Sequence, residues 1–292
     1  MYHATIIESE RGTISIRRPN LSEGAEWTVE ELVAMEFAYI RNLASELASN
    51  EVISDAVLTV PPYFSQTERR SLVDALEIAG MKLLALVHDG TAVAVNYAMT
   101  RSFPEKEVHI IYDAGASGIR ATIAAIGSPH PPSPSKTVSR NLKTTTKEST
   151  NIDILGFGWN REASGNELTR RLMDLFVARF EEEHGTGSLH TDHKALARLL
   201  KEAERVKGIL SANTDAFSTV CSFMYVMQPM ASLIYLLQVE SLSRDIDFRT
   251  KTTRAEFEGL CVDLKTLYVQ PILDALANSG LTMVCSTSFK LV

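Results

Sequence analysis

The apolar positions of this chain change period several times, and each change marks an element. From residue 4 to 17, ATIIESERGTISIR alternates around Arg11-Gly12, the pattern of a short hairpin. Thr28-Val29-Glu30-Glu31 reads as a capping box. Leu32, Val33, Met35, Phe37, Ile40, Leu43 and Leu47 then keep helical spacing to about Ser49. Val57-Leu58-Thr59-Val60 predicts a strand over 56–60, stopped by Pro61-Pro62, and a helix over 66–79 ends at Gly80. Lys82 to Val87 predicts a second strand, and the small residues of Thr91 to Thr100 a helix able to pack closely. Strands over 108–113 and 119–126 flank a Gly-Ala-Ser-Gly turn. Residues 127–150, rich in Ser, Pro, Thr and Lys, read as a loop. Helices return over about 165–184 and 192–211. A short strand near Ile246-Asp247-Phe248 precedes a helix capped at Thr253 that carries Arg254, Phe257, Leu260, Leu264 and Leu267. A break before Pro271 precedes a last helix to Ala277. Strands interleaved with long helices place the fold in the α/β class.

Val220 to Leu237, VCSFMYVMQPMASLIYLL, carries no charge. It just reaches the length that a membrane helix needs, roughly 18 residues. Pro229, the glutamines Gln228 and Gln238, and the lack of a flanking basic cluster argue against a span. A net charge of -7 argues against general binding of nucleic acid or anionic membranes. Cys221, Cys261 and Cys285 are too widely spaced for a metal signature or a disulfide framework. The N-terminus has no basic region followed by an apolar core, so no signal peptide is read, and the chain as written is expected to be cytosolic.

Three segments carry candidate chemistry. In Asp113-Ala114-Gly115-Ala116-Ser117-Gly118 an acid at a strand end precedes small residues. Backbone amides there can approach a phosphate while the carboxylate holds a hydrated magnesium ion; a plain hairpin turn is the alternative. In Val87-His88-Asp89-Gly90-Thr91 a strand enters a helix through an acid. Asp89 could sit near metal-bound water, or Asp89 or Thr91 could simply cap the helix. Glu204, Lys207 and Ser211 share one helix face and could grip a ribose and an adenine edge; a solvated Glu–Lys pair is the alternative.

Taken in order, TVPPYFSQTERR, VHDGTAVAVNYA, IIYDAGASG, EAERVKGILS and DIDFRTKTTRAEFEGLCVDL resemble successive segments of the heat-shock protein 70 family. The resemblance covers about residues 27–126 and 155–283. It is greatest to the large hypoxia-upregulated, glucose-regulated branch of the endoplasmic reticulum lumen. It implies an α/β, actin-like ATPase core with two lobes, 1–104 and 105–292, and ATP-dependent chaperoning with ATP or ADP and Mg2+. Carried onto this chain, it implies that Asp113 and Asp89 are catalytic and hold magnesium through water. Gly115, Ala116 and Ser117 would lie at the phosphates, and Glu204, Lys207 and Ser211 at the adenosine. Pro61 and Arg69 would form an allosteric relay. Implied partners are a conventional member of the family and cochaperones.

The chain departs from the family pattern. Asp89 is one methylene shorter than the family's glutamate, Gly90 stands for a proline, Ala116 for a glycine and Gly118 for a threonine. Ser164-Gly165-Asn166 keeps only part of a Gly-Gly-Glu. The family's first phosphate loop and catalytic lysine find no counterpart, so the core is expected to be truncated at both ends and not to hydrolyse ATP above background. The runs at about 221–238 and 284–292 have no family equivalent and are read as gene-model or splice products, which reading the transcript across their junctions tests. A nucleotide-binding chaperone fragment, a non-catalytic interaction or nucleotide-exchange module, and a truncated product without independent function are the competing readings.

Overall fold

The computed structural model describes residues 5–17, 26–128, 150–185, 189–220, 248–281 and 290–291. The apolar run at 221–238, most of the loop read over 127–150, and most of 284–292 lie outside these residues. In chain order the elements are β1 (Thr5–Glu8), β2 (Ile14–Arg17), β3 (Glu26–Thr28), α1 (Val29–Leu47), β4 (Asp55–Val60), α2 (Gln66–Ile78), β5 (Lys82–His88) and α3 (Asp89–Met99). There follow β6 (Glu107–Ala114), β7 (Ile119–Gly127), β8 (Asn151–Asn160), α4 (Gly165–His184), α5 (His193–Ala212), β9 (Asp215–Val220), β10 (Phe248–Thr253), α6 (Arg254–Leu260), α7 (Leu264–Ser279) and β11 (Lys290–Leu291). The class is α/β, as the pattern predicts.

Two compact units form. One, here the N-terminal unit, comprises Ala4–Asp113, Ile119–Asn160 and Val269–Val292; the other, the central unit, is built mainly from Ala114–Gly118 and Arg161–Tyr268.

In the N-terminal unit, β1, β2 and β3 make an antiparallel sheet with Gly12, φ +72°, at the first turn. Thr28 and Glu31 close a capping box on α1, and Ser65 and Glu68 close a second on α2. The helix α2 is the crossover that lets β4 and β5 pair in parallel. Val60 and His88 are register partners. The loop from Pro61 and the entry to α3 therefore leave the sheet side by side, at the strand C-termini where α/β proteins place their sites. The third sheet of this unit runs β11-β6-β7-β8. Ala94 and Ala98 of α3 pack on Ile111, Ala124 and Ile126, whereas Ala275 and Leu276 of α7 pack with Ile110, Ala121 and Ile123. Alternating residues of β6 and β7 thus serve opposite faces. On β8 the extra residue Leu155 shifts the register, so Ile152 and Ile154 join the α3 side while Gly156 and Gly158 meet α7.

In the central unit, Leu172, Phe176 and Phe180 of α4 recur every four residues and meet Leu199, Val206 and Leu210 of α5 with Phe248. The strands β9 and β10 are antiparallel, with Phe248 opposite Val220.

Several boundaries differ from the pattern. The strands β3, β8 and β9 carry too weak an alternation to be read, and β8 holds two glycines that read as breakers. The helix α3 begins at Asp89 rather than Thr91. The break expected before Pro271 falls at 261–263, and Pro271 lies inside α7, where its missing amide leaves the Leu267 carbonyl without its helical donor. The apolar spacing of Leu260, Leu264 and Leu267 continues across that break and hides it. Among the described residues no helix is long and apolar enough to cross a membrane.

Candidate nucleotide-binding site

Residues 115–118 join β6 to β7, and the Gly115 amide donates to the Gly118 carbonyl at 3.0 Å. The turn is tied to the start of α4. Ser164, the N-cap, accepts from the Glu167 amide, and the two amides before that donate elsewhere: Gly165 to Gly115 O at 3.0 Å and Asn166 to Ala116 O at 2.9 Å. The first turn of α4 thus spends its free donors on the carbonyls of the turn. The amides of Ala116 and Ser117 make no backbone hydrogen bond among the described residues. They are the donors that a phosphate could use.

The face of α5 predicted to read adenosine reaches the same place. Lys207 Nζ donates to Gly165 O at 3.1 Å, to Thr169 Oγ1 at 2.8 Å and to Glu204 Oε2 at 2.9 Å. Thr169 Oγ1 donates to Glu204 Oε2 at 2.5 Å. The Thr169 hydroxyl, and after it the Lys207 ammonium, hold the Glu204 carboxyl below its ordinary value. The third member, Ser211, donates to Gly208 O at 2.7 Å within its own helix. Arg254 bonds the Leu210 and Ser211 carbonyls at 2.9 and 3.3 Å and so fixes the end of α5. Sequence reading brought Glu204 and Lys207 together but missed Thr169 and Arg254, which lie on other helices and gave no local signal.

The two acids lie in the N-terminal unit. Asp89 is the first residue of α3 and makes no side-chain cap of the usual kind; its Oδ1 accepts from the adjacent Gly90 amide at 2.7 Å. Its Oδ2 accepts from Arg120 Nη1, and Asp113 Oδ2 accepts from Arg120 Nη2 at 2.9 Å. One guanidinium from β7 bridges both carboxylates expected to hold magnesium. Among the described residues no group of three or more His, Cys, Asp or Glu side chains is placed to hold a metal ion. With Arg120 between them, Asp89 and Asp113 do not fit a divalent cation. In the sequence Arg120 is a lone basic residue in a strand, and nothing local marks its role.

Pro61 opens the turn closed by Phe64 N donating to Pro61 O at 3.2 Å. Arg69 spans this loop, donating to Phe64 O at 2.9 Å and Pro62 O at 3.3 Å. It also meets His88 Nε2 at 3.2 Å. Because guanidinium can only donate, His88 accepts through an unprotonated Nε2. His88 directly precedes Asp89, so the Pro61 loop and the acidic pair are joined through Arg69, His88 and Arg120.

The sequence profile of the family described as "Hsp70 protein" matches residues 1–130 and 147–285. The heat shock protein 70 homolog lhs1 of Schizosaccharomyces pombe is 36% identical over 278 residues, which is 95% of this chain and 29% of that protein. The hypoxia up-regulated protein 1 of Danio rerio is 36% identical over 283 residues, covering 94% of this chain and 25% of that protein. The heat shock 70 kDa protein 17 of Arabidopsis thaliana is 33% identical over 290 residues, covering 98% and 30%. The chain therefore spans between a quarter and a third of the length of these relatives. The profile match and the relatives along nearly all of its residues show that the chain belongs to the Hsp70 family.

Proposed function

We propose that this chain is the nucleotide-binding part of an Hsp70-type chaperone, with Gly115, Ala116 and Ser117 at the phosphates of ATP or ADP and Glu204, Lys207 and Ser211 at the adenosine. The observation that carries this reading is the backbone of Gly165. Its N–H donates to Gly115 in the glycine turn and its C=O accepts from Lys207 on α5. Two segments far apart in the sequence, each a candidate nucleotide contact alone, are hydrogen-bonded to one residue. The reading extends to a two-lobed actin-like core divided near 104/105, to work with a conventional family member and cochaperones, and to the endoplasmic reticulum lumen. These are properties of the branch that the sequence resembles.

Calorimetric titration of the folded chain with ADP tests it. Saturable binding is expected, weakened roughly tenfold or more in Glu204→Ala/Lys207→Ala, since each lost charged hydrogen bond costs about 1.5–3 kcal/mol. No binding to a chain shown by circular dichroism to be folded overturns it.

A further inference from the structure

We propose that Arg120 is the resident cation of the Asp89–Asp113 pair, so that this pair takes no divalent metal ion and the chain binds its nucleotide with an affinity independent of magnesium. The argument begins with geometry. The two Nη atoms of one guanidinium are each bonded to a different carboxylate, and the second Asp89 oxygen is already engaged by the Gly90 amide. The Arg120 side chain is 16% exposed, and its Nε is buried without a partner among the described residues. It stands on β7, a strand whose other residues are almost all buried, so the fork is held in place by the sheet.

Charge and coordination chemistry lead the same way. A guanidinium does not deprotonate in proteins, and its planar fork matches carboxylates. Magnesium demands near-octahedral oxygen ligands and usually takes one or two carboxylates with waters. To use Asp89 and Asp113 it would have to displace Arg120 and strand a mostly buried cation, which is strongly unfavourable. Arg120 also cancels one of the two negative charges that would attract the ion. The fixed cation is already present where the ion would go.

Two measurements on the whole chain test this. In the first, Mn2+ alone serves as the probe for an oxygen-ligand site and is followed by its free electron paramagnetic resonance signal. The wild type is expected to show no saturable site. Arg120→Met, close in length and uncharged, and Arg120→Ala are each expected to gain one, lost again when Asp89→Asn is added. Saturable Mn2+ binding by the wild type that Asp113→Asn removes would overturn the proposal. So would the absence of a site in a folded Arg120→Met chain; the wild-type arm needs no variant to fold. The second measurement rests on the nucleotide-binding reading above and compares ADP titrations in magnesium and in chelator. The wild-type Kd is expected to agree within about twofold, and that of Arg120→Met to tighten about tenfold or more with magnesium, a difference of about 1.4 kcal/mol. ADP binding by the wild type that chelator abolishes overturns the proposal but leaves nucleotide binding standing. No ADP binding in either condition defeats the nucleotide reading, and the Mn2+ result then decides the proposal by itself.

Discussion

A methyl group at position 90 has nowhere to go. A Cβ there would stand 2.1 Å from Thr122 Oγ1 and 2.7 Å from Thr122 Cβ, so glycine lets α3 lie directly on β7. Gly90→Ala is expected to destabilise the chain by about 1–3 kcal/mol in denaturant titrations. Gly90→Pro, which restores the residue of the family pattern, is expected to do at least as much harm. It adds the same Cβ and removes the amide that bonds Asp89. A proline variant as stable as the wild type would show that α3 can move off the sheet. Glu204 makes a second prediction. Its carboxyl is held low first by Thr169, so Thr169→Val should raise its titration midpoint towards the ordinary 4.5, as read by carboxyl carbon NMR. The sign follows from the lowered value: the stabilisation is present above the unfolded-state value and is lost as pH falls through the folded one. Residue-scale legibility was uneven for a physical reason. Glu204 and Lys207 are one helical turn apart, so spacing alone pairs them. Thr169 and Arg120 act across elements, and nothing local in the sequence marks them.

The elements were legible where a local chemical signal starts or stops them. The capping box at Thr28 and the positive φ of Gly80 fall where the sequence puts them, and a second box at Ser65 opens the helix read from residue 66. Strand β8 was not, because its glycines answer to a neighbour. A Cβ on Gly156 would lie 2.4 Å from Ala275 O, and one on Gly158 would lie 2.2 Å from Pro271 O. The backbone of α7 rests on these two positions, and in the sequence they look like breaks. Gly158→Ala should therefore act through α7 rather than through β8. The expectation is a loss of about 1–3 kcal/mol or more, with hydrogen exchange speeding first at amides 272–279. Protection lost first along β8 would contradict this account. The same packing explains why Pro271 is tolerated inside a helix: its carbonyl lies over Gly158, and its ring is part of the buried face.

At the scale of the molecule, neither compact unit is a continuous stretch of chain. The small-residue face of α3 is covered by β6 and β7, which lie beyond residue 104. A fragment of residues 1–104 would leave Ala94, Ala98 and Phe103 without Ile111, Ala124 and Ile126. It is expected to show no cooperative thermal transition by circular dichroism, where a sharp one would show that the first hundred residues suffice. Sequence reading follows contiguous segments, and a unit assembled from three of them is hard to see that way. One ladder bears on the apolar run that the sequence found hardest to place. Phe248 sits opposite Val220, so the chain leaves β9 and returns to β10 at neighbouring points. The ladder behaves as a clasp that holds the end of β9 beside the start of β10. Joining Val220 to Phe248 through a two-residue Asn-Gly turn should leave the β9–β10 register intact, as read by cross-strand backbone NOEs. In that sense the clasp sets the two points at which the chain departs from the ladder and rejoins it, and those points are fixed by strand pairing.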